Sequence, residues 1–208
     1  MRRGKLGDVY AVKVPNGYKL YQWAYHIPND GDYIRVFDGL YATIPENIAQ
    51  IVEGPHSYIT SFLSNRAYRV GLAQFVGNWP VPREYPFPEF MISFWPNQDS
   101  TKVSSIWVMC SFPVATKLNV KPIQRFNVSN MRDLPDEYQQ LTLLNDSVTP
   151  AWLFFLFDYN FTLANPERFW PRNVLGDDWE TKMQVYLDMV ENALANDPLK
   201  NKKKKETD

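Results

Sequence analysis

Residues 9–26 have the sequence VYAVKVPNGYKLYQWAYH, in which two runs of mainly apolar and aromatic side chains flank the triplet Pro15-Asn16-Gly17. β-Branched and aromatic residues favour strands, and glycine can adopt the positive φ that a tight connection requires. The stretch therefore predicts an antiparallel hairpin with strands over residues 9–14 and 18–26. Residues 33–37 alternate apolar and polar side chains after a second polar turn, and they predict a third strand of the same meander.

Gly, Pro, Asn and Ser residues divide the next part of the chain into short elements. Strand-like runs occur at residues 57–63, 72–76, 90–95 and 105–110. Residues 45–52 and 134–141 predict short helices, because a proline stands near each start and apolar residues follow at helical spacing. The apolar run over residues 151–157 predicts either a buried strand or a short helix, since about 20 residues are needed to span a bilayer.

Residues 177–194 predict a helix, and this is the helix that the sequence supports best. Asp177 precedes Glu180 by three residues, the spacing of a capping box at a helix start. One apolar stripe follows at helical spacing, formed by Met183, Tyr186, Leu187, Val190 and Leu194. We expect this stripe to be buried, with Leu187 in its middle.

These elements together predict an α+β fold, with an antiparallel β-rich sheet or partial barrel, short helices and a C-terminal amphipathic helix. With 45% hydrophobic residues in a chain of 208, one well-buried core is expected. We therefore expect a single domain over residues 1–199. Residues 200–208 are rich in Lys and lack apolar residues, and they predict a disordered tail.

The composition favours a cytoplasmic protein. Cys110 is the only cysteine and excludes an internal disulfide, while residues 1–8 are not followed by the apolar run typical of a signal peptide. We expect no membrane partner. Outside residues 200–208 the chain has 17 basic and 21 acidic residues, a balance that favours a basic protein partner over a nucleic acid.

No combination of residues predicts a catalytic centre. The two histidines, His26 and His56, are far apart in sequence and exclude a metal site built from several histidines. Cys110 ends an apolar run, which suits a small buried thiol better than an activated thiolate. Asp30 and Asp32 stand close together, but the further oxygen ligands of a calcium loop are missing. No glycine loop typical of phosphate binding occurs either, so we expect no enzymatic activity, metal or cofactor.

Four segments, taken in order, resemble the immunity protein 26 family of bacterial toxin antagonists. They are KLGDVYAV at residues 5–12 with the Pro15-Asn16-Gly17 turn, IRVFDGLY at residues 34–41, GNWPVP at residues 77–82 and DEYQQL at residues 136–141. The resemblance covers residues 4–158, and residues 159–199 form a C-terminal extension beyond it. It implies a non-catalytic bacterial protein that binds and neutralises a cognate protein toxin.

The loop over residues 78–88 is the candidate binding element. Its four prolines are incompatible with regular strand pairing and predict a stiff, extended conformation, which reduces the entropy lost on binding. The expected binding residues are Asp30, Asp32, Asp38, Trp79, Arg83, Glu84 and Tyr85. Trp, Tyr and Arg dominate the energetics of protein interfaces, and acidic turn residues are expected to steer a basic toxin.

Two other classes of function stay open. In a small-ligand or glycan-binding domain, Trp23, Trp79 and Trp95 would line one aromatic groove. In a carboxylate-dependent glycosidase, acids such as Glu84 and Glu89 would be brought together only by folding. A deep aromatic cleft would favour the first class, and two facing carboxylates would favour the second.

Overall fold

The computed structural model describes residues 4–27, 31–96, 103–110, 123–128, 131–139, 141–144, 149–163 and 166–198. Its strands are β1 Asp8–Val14, β2 Gly17–Ile27, β3 Gly31–Phe37, β4 His56–Ser61, β5 Gln74–Asn78, β6 Phe90–Pro96, β7 Val103–Cys110, β8 Ile123–Phe126 and β9 Leu143–Leu144. Its helices are α1 Ile48–Glu53, α2 Ser64–Arg69, α3 Asp136–Gln139, α4 Pro150–Asp158, α5 Pro171–Leu175 and α6 Trp179–Ala195. Short 3-10 helices lie at Met131–Asp133 and Pro166–Phe169. The predicted tail over residues 200–208 lies outside the described residues.

The strands form one sheet of nine, in the order β5-β1-β2-β3-β4-β9-β6-β7-β8. The pairs are antiparallel except that the short strand β9 lies parallel to both β4 and β6. The predicted hairpin is confirmed, with Val14 opposite Gly17. Gly17 has a φ of +154°, and a Cβ there would lie 2.5 Å from the Tyr41 carbonyl oxygen. Glycine is therefore required where the chain after β3 passes the hairpin. Together with the helices, this sheet confirms the predicted α+β fold.

One face of the sheet packs against helices and forms the main core. Alternation of side chains directs Tyr10, Tyr21 and Val36 toward this face, which we call the helix side. Helix α4 packs between the first two strands and α6, and its residues from Ala151 to Asp158 are nearly all fully buried. A helix that is apolar all round belongs inside a core. The run over residues 151–157, which the sequence left as strand or helix, is therefore a helix.

Helix α6 departs from its prediction in two respects. Met183, Tyr186 and Val190 are buried, but Leu187 is 40% exposed, so its expected burial is wrong. The three buried residues are spaced i, i+3 and i+7 along the helix. Leu187, at i+4, lies beside them at the edge that faces solvent. The expected cap is also wrong, because the Asp177 side chain is 97% exposed and the helix begins after Asp178.

Two polar links fasten the β1–β2 hairpin to the end of α4 and to the segment that follows it. The buried carboxylate of Asp158 accepts hydrogen bonds from the Asn16 backbone N–H at 2.7 Å and from the Tyr186 hydroxyl at 2.6 Å. Lys19, also fully buried, donates from Nζ to the Gly39 carbonyl at 3.1 Å and to Asn160 Oδ1. The region after residue 158, which the sequence treated as an extension, therefore contributes directly to the core.

The opposite face of the sheet is covered by α1 and by the loop between β5 and β6. Ile48 and Val52 of α1 pack on Val9, Ala11 and neighbouring residues. Phe87 of the loop packs on Tyr33 and Ile59. We call residues 38–54 and 78–89 the outer layer. No described helix has both the length and the apolar composition needed to cross a membrane.

Candidate functional site

The loop of the outer layer is fixed at its start by Trp79. The Trp79 backbone N–H donates to the Gly7 carbonyl at 3.0 Å, and its carbonyl accepts from Gln22 Nε2 at 2.8 Å. Its half-buried ring lies so close to Gly77 that a Cβ there would come within 2.4 Å of it. Trp79 therefore acts first as an anchor against the sheet.

The loop is fixed again by Tyr85 and Phe87. The Tyr85 carbonyl accepts a hydrogen bond from the Tyr25 hydroxyl at 2.7 Å. The Phe87 ring contacts the rings of Tyr25 and Tyr33 edge-on, with centroids 5.2 Å and 5.0 Å apart. Between the anchors, the Tyr85 N–H donates to the Pro82 carbonyl at 3.2 Å and closes a turn. The predicted loop thus has a preformed tip, at which Arg83 and Glu84 are exposed.

Arg35 of β3 lies fully buried under the loop. Its guanidinium donates to Gln22 Oε1 at 3.0 Å, to the carbonyls of Val52 and Gly54 at 3.4 Å and 3.1 Å, and to His56 Nδ1 at 3.3 Å. Among the described residues, no carboxylate forms an ion pair with it. Burial lowers the pKa of Arg35, and dipoles of neutral partners stabilise its charge.

His56 is held as a neutral imidazole beside this charge. Burial first, and then the charge of Arg35, lower the pKa of His56 to about 4. The other histidine, His26, bonds the carboxylate of Asp32 through Nδ1 at 2.8 Å. His26 pairs with the start of β3 and His56 with its end, so the two imidazoles are separated by the length of that strand. The structure does not bring them together.

The acidic residues predicted for binding are also separated. Asp32 lies at the start of β3, while Asp38 follows its end and accepts from Asn160 Nδ2 at 3.2 Å. At about 3.3 Å per residue, six residues of strand correspond to roughly 20 Å. Asp30 lies outside the described residues. Of the predicted binding residues that the structure describes, only Trp79, Arg83, Glu84 and Tyr85 are adjacent, and Asp38 belongs to the same outer layer.

The exposed charges of the outer layer are mainly negative. Its carboxylates and its single guanidinium are all exposed, and they belong to Asp38, Glu46, Glu53, Glu84, Glu89 and Arg83. The segment contains no lysine. This surface therefore presents five acidic groups and one basic group to solvent.

The alternative sites do not form as the sequence suggested. The Trp23 ring belongs to the core on the helix side, whereas the Trp79 ring lies on the opposite face, so the two do not line one aromatic groove. The Trp95 side chain lies outside the described part of the chain. Glu84 and Glu89 are exposed on the loop. Within the described ranges, no group of three or more His, Cys, Asp and Glu side chains is placed to hold a metal ion.

The buried polar cluster of Gln22, Arg35 and His56 was not anticipated from the sequence. Arg35 occupies the polar position of an alternating strand, which normally faces solvent. Only the covering by α1 and the loop, a long-range feature, turns that position inward.

Comparison of the chain with protein-family models, curated proteins and solved structures found no match.

Proposed function

We propose that this chain is a non-catalytic protein that binds another protein through its outer layer. Following the resemblance to the immunity protein 26 family, the partner is a toxin, which the chain neutralises in the bacterial cytoplasm. The observation that carries the proposal is the loop, anchored by Trp79 and Tyr85 and exposing Arg83 and Glu84 between them. A preformed loop loses little conformational entropy on binding.

The charge of the outer layer supports a basic partner surface. Five exposed carboxylates against one guanidinium attract a positively charged protein and raise its association rate. A toxin that acts on nucleic acids is expected to have a positively charged surface, because binding a phosphate backbone requires Lys and Arg. The charge thus favours one class of toxin without identifying its activity.

The loop residues have two different roles in this proposal. Arg83 and Glu84 contact the partner, because they are exposed and their side chains extend from a fixed turn. Trp79 and Tyr85 are half-buried, so they add the outer edges of their rings to the interface while they hold the loop in place. Substitution of either anchor therefore affects both the loop conformation and binding.

The test uses the toxin encoded beside the gene for this chain. The double variant Arg83→Ala/Glu84→Ala is compared with Arg172→Ala/Asp177→Ala, which removes an exposed Arg–Asp pair at 3.4 Å on the other side of the sheet. Calorimetric titration and survival of toxin-producing cells are measured. We expect the loop variant to bind at least about tenfold more weakly and the control to match the parent. Equal binding by both variants would place the interface elsewhere, and a parent that neither binds nor protects would refute the proposal.

A further inference from the structure

An apolar groove lies on the helix side of the sheet, away from the outer layer. It runs between α2 and the helices α4 and α6 and has a volume of about 340 Å³. Phe62, Leu63, Leu153, Phe154 and Val190 form much of its wall. This volume is within the usual range for small-molecule pockets, roughly 300 to 1,000 Å³.

One apolar residue of the groove wall also reaches solvent. Leu63 is 61% exposed, although its side chain lines the groove, whereas Phe154 at the base is fully buried. An exposed leucine beside an apolar cavity leaves a continuous apolar surface from solvent to the core. Such a path suits an extended hydrocarbon chain.

One cation at the groove is available to a ligand. Arg66 lines the groove and is exposed, and in the described chain its guanidinium has no ion pair. Arg69, one turn further along α2, is held by Asp197 through two hydrogen bonds of 3.2 Å and 3.0 Å. The single carboxylate of the lining, Asp32, is 19% exposed and is bonded by His26. Arg66 is thus the charged group best placed to bind a ligand.

We propose that this groove binds a small organic anion with an unbranched apolar chain. The carboxylate of the ligand bonds the guanidinium of Arg66, whose planar donor pair matches a carboxylate in geometry. The apolar chain of the ligand lies along Leu63 and Phe62 toward Phe154. This site is separate from the outer layer, so it does not depend on the proposed toxin binding.

Calorimetric titration of the full chain with three probes of equal chain length tests the proposal. Decanoate, decanol and decylamine carry a negative, a neutral and a positive head group, and each is used below its aggregation concentration. We expect decanoate to bind with one-to-one stoichiometry and the other two to bind at least about tenfold more weakly. Stronger binding of decylamine would show that Asp32 sets the charge preference, and equal binding of all three would show an unselective apolar cavity. Either result overturns the proposal.

Two variants, Arg66→Gln and Val70→Phe, test the location of the site, and a third is the control. Arg66→Gln should weaken decanoate binding about tenfold or more and leave decanol binding unchanged, because it removes only the charge. Arg172→Gln, an exposed arginine outside the groove, is the matched control and should bind decanoate like the parent. Val70→Phe narrows the groove and should weaken both ligands, with circular dichroism used to confirm folding. Unchanged binding in Arg66→Gln, or a concentration-dependent dimer that excludes decanoate, would refute the assignment.

Discussion

The guanidinium carbon of Arg35 lies 4.5 Å from the centre of the Tyr85 ring. A fully buried strand residue is thereby in direct contact with the loop that presents Arg83 and Glu84. The same guanidinium also bonds the carbonyls of Val52 and Gly54 at the end of α1. One side chain therefore holds both parts of the outer layer on the sheet.

Arg35→Met is expected to destabilise the protein by about 2 to 4 kcal/mol, because the carbonyl of Gly54 and the acceptor atoms of Gln22 and His56 lose their donor. Urea titration measures the change in the free energy of unfolding. Arg83→Met makes the same substitution at an exposed site of the loop and should stay within about 0.5 kcal/mol of the parent. Similar losses in the two variants would mean that the buried guanidinium contributes nothing specific.

Leu187→Ala is expected to cost less than about 1 kcal/mol, because the side chain is 40% exposed and its removal leaves no enclosed cavity. Leu153→Ala, on the fully buried helix α4, should cost about 2 to 5 kcal/mol for lost apolar burial and the cavity left behind. Both values come from denaturant titration. A large loss in Leu187→Ala would indicate that another chain covers this face of α6.

Stability is expected to fall as the pH decreases from 6.5 to about 4, because burial and Arg35 lower the pKa of His56 from 6.5 to about 4 in the folded protein. In this window the unfolded chain binds more protons than the folded one, so stability rises with pH. The full effect is on the order of 3 kcal/mol. His56→Gln should have a flatter profile of unfolding free energy against pH than the parent, whereas His26→Gln should keep the slope that His56 causes.

A second pH dependence is expected on the alkaline side, because burial lowers the pKa of Lys19 from 10.5 to about 8. The unfolded chain binds more protons above pH 8, so the contribution of Lys19 makes stability increase from about pH 8 toward 9.5, below the range where ordinary tyrosines titrate. Lys19→Met should lack this increase. The difference between parent and variant, measured by urea titration at several pH values, isolates the effect of Lys19 from that of other groups. An identical slope in both proteins would contradict it.

Much of the fold was predictable because it depends on local patterns. The β1–β2 hairpin follows from two strand-like runs around Gly17, and the alternation over residues 33–37 identifies β3. The helical stripe of α6 was also visible, but a stripe of sequence positions does not reveal how far the helix turns against its neighbours. Leu187 was therefore predicted to be buried, whereas it is exposed in the structure.

The errors come from features that depend on distant parts of the chain. The strand-like run over residues 57–63 ends at Ser61, since Phe62 and Leu63 instead lead into α2. Strands β8 and β9 have four and two residues, too few for a pattern to be recognised. The inward orientation of Arg35 and the bonds between Asp158 and Asn16 require partners that are remote in sequence.

The loop of the candidate site was also predictable only in part. Its prolines predicted a stiff connection, and its Arg83–Glu84 tip is exposed as a binding element requires. The anchoring of Trp79 and Tyr85 was not predicted, because a ring that packs on its own sheet has the same residue type as a ring that packs on a partner. The large distance between Asp32 and Asp38 could not be inferred until the structure placed them at opposite ends of β3.

The position of β9 has a consequence for the order of folding. Strands β1 to β4 pair with their sequence neighbours, and β6 to β8 do likewise, so each group closes mainly through local contacts. Leu143 of β9 then joins the groups by pairing with both Ile59 and Met91, which are far from it along the chain. Contacts of high sequence separation close slowly, since a long loop must be ordered before they form. We therefore expect the two-residue seam at β9 to form after the two groups of strands that it joins.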